Sequence, residues 1–137
     1  TKELEIEEKK EVSSRLYVRN MSLNDIRFYM TRPYMSEKAK KFLGEVMGIM
    51  RERAKVSREI SEANRRLAAA TADHERFQNT LKVLSDVTER EMRQSYAKRL
   101  KEADEKIDRL RSLIVDLRES AKRIDDRLRE KIEGYRE

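Results

Sequence analysis

Hydrophobic residues recur every seven positions over most of this chain, in alternating steps of three and four residues. This spacing lines them up along one side of an α-helix, where they form the narrow apolar seam of a coiled coil. All but two of the first fourteen seam positions, Arg53 and His74, are apolar. In order, the fourteen positions are Ala39, Phe42, Val46, Ile49, Arg53, Val56, Ile60, Ala63, Leu67, Ala70, His74, Phe77, Leu81 and Leu84. The repeat therefore predicts a helix from Ser36 to Leu84 that packs against a second helix.

The repeat stops at a polar segment, residues 85–88, and resumes in the second half of the chain. The second set of seam positions is Met92, Tyr96, Leu100, Ala103, Ile107, Leu110, Ile114, Leu117, Ala121, Ile124, Leu128 and Tyr135, with Ile132 beside the stripe. Two helices of nearly equal length that are joined by about four residues fold back on each other antiparallel. We therefore predict a helical hairpin over residues 36–137 with its turn near residues 85–88.

The residues before this hairpin follow a different pattern. Residues 1–21 alternate weakly between apolar and charged side chains, which predicts a strand or an extended arm. Because a lone strand is not stable in water, we expect this arm to be the tail of an upstream β-domain. Residues 22–35 predict a short helix, capped by Ser22 and ended before Pro33, and Ser36 is predicted to cap the next helix. The predicted fold class is all-α: a long antiparallel two-helix coiled-coil hairpin with a short third helix at its base and an extended N-terminal arm.

Large side chains outside the strict seam predict a wider core at the base of the hairpin. We expect one cluster there, formed by Phe28, Phe42, Met47 and Tyr135. Gly44 and Gly48 are about one turn apart, a spacing that lets another backbone approach closely. We therefore predict that both glycines face the short helix.

The composition limits the chemistry that this chain can perform. Charged residues make up 44% and hydrophobic residues 37%, with no Trp and no Cys. So polar a chain cannot fill a thick core, and the missing cysteines exclude disulfides and thiolate metal sites. No apolar run approaches membrane-spanning length. Because no Gly-rich phosphate loop, nucleophile elbow or catalytic acid pair is present, we expect neither an enzyme nor a cofactor.

Two seam positions carry polar residues. His74, the only histidine, lies between Asp73 and Glu75, which diverge around the helix and so do not converge on a metal ion with it. We therefore expect His74 to form a hydrogen bond across the hairpin. Arg53 is expected to fix the register of the helices or to extend its charged end to solvent.

Charged residues also form a row on the outward side of each predicted helix. The first row is Arg51, Arg58 and Arg65, and the second is Glu105, Ser112, Glu119, Asp126 and Glu133. The net charge is +6, and the only clear basic excess lies in residues 36–84, with 11 Lys and Arg against 7 Asp and Glu. Ordinary solvated faces would explain both rows. Alternatively, hairpins pack side by side with opposite charges facing, through Arg51, Arg58, Arg65, Glu105, Glu119 and Asp126.

Three stretches of the chain resemble a bacterial family. Residues 73–84, D-H-E-R-F-Q-N-T-L-K-V-L, are similar to its D-Q-E-R-hydrophobic-R-x-N-L-K-x-L motif, with His74 in place of Gln and Thr80 where Asn is usual. Residues 23–29 resemble its L-S-D-D-Q-I-x-Y-Y segment, and residues 96–100 resemble its Y-x-x-K-L. This is the domain-of-unknown-function family 4139, in which a β-rich region precedes a C-terminal helical hairpin. The resemblance covers most of residues 16–137 and implies that fold, but it implies no established activity.

These features favour a structural or protein-interaction module. Our main hypothesis is a rigid coiled-coil arm that self-associates, as a homodimer, or docks on another protein. The second is a basic helical arm that binds nucleic-acid phosphates, which is weaker because no aromatic residue lies beside the Arg row to stack on bases. The third places a metal- or ligand-dependent activity in an upstream domain, with this chain as its scaffold. The sequence does not indicate a cellular compartment.

Overall fold

The structure is a computed structural model that describes residues 22–30 and 35–136. It contains, within those residues, the α-helices α1 (Leu23–Met30), α2 (Glu37–Val83) and α3 (Arg90–Glu133). The two long helices α2 and α3 pack against each other as a helical hairpin, so the predicted all-α hairpin is confirmed. The polar segment at residues 85–88 lies between them. The predicted arm at residues 1–21 and the turn at Pro33 lie outside the described residues.

Serine side chains cap the N-termini of α1 and α2, as the sequence predicts. Ser22 Oγ accepts a hydrogen bond from the Asp25 amide at 3.2 Å, and the Asp25 carboxylate accepts one from the Ser22 amide at 3.1 Å. This reciprocal arrangement is a capping box, which satisfies two backbone donors at the start of α1. At the start of α2, Ser36 Oγ accepts a hydrogen bond from the Ala39 amide at 3.1 Å. Both predicted caps are therefore confirmed.

The heptad pattern correctly identifies the buried stripe of each long helix, except near the turn. The first fourteen predicted seam positions, which end at Leu84, are all buried or half-buried, including the polar Arg53 and His74. Met92 is 51% exposed, so its predicted place in the seam is wrong. Ile132 is only 2% exposed and belongs to the core itself. On α3 the buried positions are Ala103, Ile107, Leu110, Ile114, Ala121, Ile124 and Ile132.

The chain divides into two compact units, which are described separately. The base unit comprises the described residues up to Val56 together with those from Ser120 onward. Its core consists of Ile26, Phe42, Leu43, Val46 and Ile132, with Met35, Met47, Met50, Leu128 and Tyr135 packed against it. The rings of Phe42 and Tyr135 stack with their centroids 4.0 Å apart. Three helices therefore contribute to one core at the base, as predicted, with Ile26 as the buried residue of α1.

Phe28 does not join that core, which corrects the predicted base cluster. Its side chain is 54% exposed, whereas Ile26 is fully buried. The two residues are two positions apart on α1, which turns the second about 200° around the helix axis from the first. Once Ile26 packs inward, Phe28 has to lie on the other side. The other predicted members, Phe42, Met47 and Tyr135, do lie in the cluster.

Gly48 does not mark a close approach of another backbone, which corrects a second prediction. It is exposed, and a Cβ atom built on it would meet no atom within 4 Å. Val46 and Ile49, which belong to the seam, turn inward on either side of it, so Gly48 lies on the outward side of α2. Gly44 is half-buried, and its predicted contact with the short helix stays a prediction.

The tip unit, residues 57–119, has a thinner core than the base unit. Ala70, Ile107 and Leu110 form its buried cluster, and Leu67 packs against them. Closer to the turn, the rings of Phe77 and Tyr96 meet edge to face with their centroids 6.0 Å apart. Alanines at the seam allow the two helices to approach closely, and near the turn the packing is by a pair of aromatic rings.

Candidate interaction surfaces

Ion pairs join α2 to α3 in the base unit. Arg53 Nε lies 2.9 Å from Asp125 Oδ1, so this polar seam residue is paired across the two helices. Beside the seam, Arg127 Nη1 lies 3.1 Å from Glu52 Oε2, and Lys131 pairs with Glu45. The hydrogen bond from Lys131 lowers the pKa of the Glu45 carboxyl group. The contacts run in opposite directions along the two helices, as an antiparallel pairing requires.

The second polar seam residue has an equivalent partner in the tip unit. His74 Nε2 lies 2.7 Å from Asp104 Oδ1 on α3, so this residue contacts a partner across the hairpin, while its predicted hydrogen bond stays a prediction. His74 follows Arg53 by three heptads in the sequence, and Asp125 follows Asp104 by the same three heptads. Each polar seam position of α2 therefore meets an aspartate at the same heptad position of α3. These residues hold the helices in register, because a shift of either helix would separate both polar side chains from their partners.

Arg93 fixes the backbone at the turn, and it was not among the residues predicted to matter there. Its Nη1 donates hydrogen bonds to the carbonyl oxygens of Leu81 at 2.8 Å and Leu84 at 2.9 Å, near the C-terminal end of α2. Its Nε lies 2.6 Å from Asp86 Oδ1 in the turn. The signal was present in the heptad: three residues before Tyr96 is Arg93, whereas Met92 departs from the alternation. The half-buried arginine therefore takes the place that the apolar pattern assigned to Met92.

Ser85 and Glu89 complete the hydrogen bonding of the turn. Ser85 Oγ accepts hydrogen bonds from the amides of Val87 at 3.3 Å and Thr88 at 3.5 Å. The Glu89 carboxylate accepts one from the Ser85 amide at 2.7 Å. Exchanges of this kind between a serine and a glutamate satisfy backbone donors that the start of the next helix would leave unpaired. These hydrogen bonds therefore link the first residue of the turn to the residues that follow it, up to Glu89.

The predicted charged rows are only partly available to a partner. Arg65 donates two hydrogen bonds to Glu62 on its own helix, at 2.6 and 3.0 Å, and Arg66 donates a third at 3.1 Å. The Arg65 hydrogen bond lowers the pKa of Glu62 from 4.5 to about 2, with a further contribution from Arg66. At the other end of the predicted contact, Asp126 pairs with Arg129 at 3.2 Å.

The remaining members of the rows are exposed. The Arg51 guanidinium lies 3.7 Å from the Met47 sulfur atom. Arg58, Glu105 and Glu119 are exposed and form no ion pair within the part of the chain that the structure describes. Among the described residues, no arginine of the first row is paired with an acid of the second. Whether the rows meet between molecules stays a prediction.

Large apolar side chains remain exposed at the turn and on α3. Val83 is 80% exposed, Val87 is 89% exposed, and Met92 is exposed beside them in the sequence. Leu113 and Val115, which are 44% and 54% exposed, are two positions apart and so face different sides of α3. Val83 and Val87, at and near the turn, are therefore the most exposed of the large apolar side chains, above Phe28 on α1 at 54%.

Metal sites and membrane spans require arrangements that the described residues do not provide. Within residues 22–30 and 35–136, no group of three or more His, Cys, Asp and Glu side chains is arranged to hold a metal ion. None of the helices in these ranges is long and apolar enough to span a membrane.

The fold defines the class of this protein: it is an all-α helical hairpin with polar pairs across its seam. Comparison with protein-family models, with curated proteins and with solved structures finds no match for the chain. Its resemblance to the hairpin family therefore stays a prediction, which rests on the three motifs.

Proposed function

We propose that this chain is a non-catalytic structural and protein-interaction module, a rigid coiled-coil arm that self-associates or docks on another protein. One observation carries the proposal: Val83 at the end of α2 and Val87 in the turn are 80% and 89% exposed, next to a backbone whose Leu81 and Leu84 carbonyls bind Arg93. Apolar side chains on a fixed backbone can be buried by a partner with little loss of conformational entropy. The turn is therefore the surface from which an interaction gains most.

The polar pairs across the seam support rigidity as part of this function. In the base unit Arg53 meets Asp125, and in the tip unit His74 meets Asp104. Because both polar seam residues are used to hold the helices together, we assign them a structural role. The resemblance to the hairpin family agrees with this proposal in its fold, and it implies no established activity.

The alternative is a basic arm that binds nucleic-acid phosphates. Exposed arginines such as Arg58 favour it, and phosphate contacts require such groups. Against it, Glu62 engages both Arg65 and Arg66, so two of the cations in this region already have an anionic partner. We therefore rank protein interaction first.

Two measurements test the proposal. Sedimentation velocity over a wide range of protein concentrations detects self-association. A photoreactive amino acid at Val87, with the same group at Val115 on α3 as control, reports which molecules contact the turn in cells. We expect self-association, or adducts with an identified protein at Val87 that the Val115 control lacks.

The proposal is wrong if the chain is monomeric at every concentration and Val87 forms no protein adduct. Tight binding to a polyanion such as heparin, together with that result, would favour the phosphate-binding alternative. A Val83→Asp substitution supplies a further control, because it should remove adducts at Val87 without touching the seam.

A further inference from the structure

One outward face of α2 in the tip unit has a pattern of charges that is complementary to itself. The face is defined by residues that follow one another in steps of three and four, so they lie along one line of the helix. They are Glu62, Arg66, Ala69, Asp73 and Arg76, flanked by Arg65 and Ala72. We call this surface the Ala69 face. It points away from the seam, and its central residues Ala69 and Ala72 are exposed.

Four of the five charges on and beside this line are arranged symmetrically about Ala69 with opposite sign; the fifth, Arg66, has the uncharged Ala72 as its counterpart. Four residues before Ala69 is Arg65 and four residues after it is Asp73; seven before is Glu62 and seven after is Arg76. Their side chains are accessible, with exposed fractions of 71% for Arg65, 48% for Asp73 and 68% for Arg76. The cation Arg65 therefore has the anion Asp73 at the same distance on the other side of Ala69. About one turn further out, the anion Glu62 has the cation Arg76 as its counterpart.

Local pairing leaves the two halves of the face with different net charge. On the N-terminal side, Arg65 and Arg66 share the single carboxylate of Glu62, which leaves one positive charge in excess. On the C-terminal side, Arg76 pairs with Asp73 at 3.1 Å. The C-terminal half is therefore neutral, and Glu75 lies outside the face, about 120° around the helix from Ala69.

A two-fold axis that passes between two copies at the level of Ala69 places the N-terminal half of each face opposite the C-terminal half of the other. Rotation by 180° reverses the helix direction and places Arg65 of one copy opposite Asp73 of the other, and Glu62 opposite Arg76. Every contact then occurs twice, as in the self-complementary interfaces of symmetric dimers. The alanines at the centre allow the two helices to approach to about 8 Å between their axes.

We propose that the Ala69 face binds a second copy of this chain, with the two α2 helices antiparallel about a two-fold axis at Ala69. This inference rests on the proposed function, because it identifies one partner and the surface that contacts it. It uses a different surface from the opposed Arg and Glu rows. A nucleic acid fits this face poorly, since two carboxylates, Glu62 and Asp73, lie among its arginines and pair with them.

The test uses two single charge reversals in the full chain, Arg65→Asp and Asp73→Arg. Each variant places like charges at both symmetric contacts of its own homodimer. Sedimentation velocity should show self-association about tenfold weaker for either variant alone than for the unsubstituted chain. When the two variants are mixed, the aspartate introduced in one faces the arginine introduced in the other. The unsubstituted Arg65 and Asp73 face each other at the second contact, so a heterodimer should form.

The mixing step separates an interface from damage to the fold. A variant that had lost its structure would not be rescued by a second defective variant. Glu105→Arg is the matched control: it reverses a charge in the acidic row of α3 and should leave the self-association unchanged.

Three results would overturn the inference. The unsubstituted chain could stay monomeric to millimolar concentration, or the charge reversals could leave its self-association unchanged. The mixture of the two variants could also associate no more tightly than either variant alone. Loss of self-association in Glu105→Arg alone would assign the contact to the opposed rows. These failures are distinguishable from failure of the proposed function, because adducts with another protein at Val87 would still support docking.

Discussion

His74 and Asp104 are joined across the two long helices of the tip unit by a 2.7 Å contact between Nε2 and Oδ1. The imidazole occupies a seam position that an apolar residue would ordinarily fill, and 27% of its side chain is exposed. A buried or half-buried polar group at a seam favours the one register in which its partner is within reach. The contact therefore contributes specificity to the pairing of α2 with α3 as well as stability.

Removal of the aspartate should destabilise the hairpin. We expect Asp104→Ala to lower the free energy of unfolding by about 1 kcal/mol, since it leaves the half-buried imidazole without this partner. Asp108→Ala, an exposed carboxylate one turn further along α3, is the matched control and should change stability by less than about 0.5 kcal/mol. Urea denaturation of both variants measures the difference. Equal effects in the two variants would show that the contact does not stabilise the hairpin.

Arg93 should be the most sensitive residue of the turn. Arg93→Met keeps an unbranched side chain but removes the donors to the carbonyls of Leu81 and Leu84, so we expect a loss of about 1 to 2 kcal/mol. Arg90→Met at an exposed position three residues earlier should be almost neutral. Thermal unfolding followed by circular dichroism compares them. If Arg90→Met were as destabilising as Arg93→Met, net charge rather than the turn hydrogen bonds would be responsible.

Gly48 should be a position at which stability can be gained. A Cβ atom at this residue would meet nothing within 4 Å, and replacing an exposed helix-interior glycine by alanine stabilises by about 1 kcal/mol. Gly134→Ala is the contrasting variant, because its Cβ would lie 3.0 Å from the Glu130 carbonyl oxygen. We expect a higher midpoint of thermal unfolding for Gly48→Ala and no such gain for Gly134→Ala. Destabilisation by Gly48→Ala would restore the idea that a partner backbone approaches there.

The Glu62 carboxyl group should titrate at unusually low pH. Its pKa is lowered from 4.5 to about 2, chiefly by the hydrogen bond from Arg65. Because the folded-state pKa lies below the unfolded value, this pairing stabilises the folded chain above pH 4.5 and is lost as the pH falls toward 2. Carbon-13 NMR of the side-chain carboxyl measures the midpoint. In Arg65→Gln the midpoint should move back toward 4.5; an unchanged midpoint would contradict the assigned cause.

A cysteine pair tests the intramolecular pairing of the helices. Leu67 packs on the cluster that contains Ile107, and the chain has no cysteine of its own. Leu67→Cys together with Ile107→Cys should form a disulfide within one chain under dilute oxidation. The control pair, Ala68→Cys with Ile107→Cys, should not, since Ala68 is exposed on the outward side of α2. Gel electrophoresis distinguishes the products, and disulfides found only between chains would indicate a swapped dimer.

The heptad pattern was sufficient to predict that two long helices pair. It also predicted nearly all of the side chains that are buried where the helices pack. Each seam position is defined by its spacing within one helix, and that spacing is a property of the sequence alone. The caps at Ser22 and Ser36 were predictable for the same reason, because each acts on an amide three residues away. The exception was the turn. There the prediction chose Met92 as a seam residue because it is apolar, although the regular spacing of three and four residues selects Arg93.

Tertiary structure decided the features that depend on the relative rotation and register of separate elements. The sequence indicated that α1 would pack at the base, but only the rotation of this short helix decided that Ile26 is buried and Phe28 exposed. It also indicated that His74 would bond across the hairpin, while the register selected Asp104 as the partner. Local spacing acts within about one helical turn, whereas these contacts join residues on different helices, and their positions follow from how the apolar surfaces fit together.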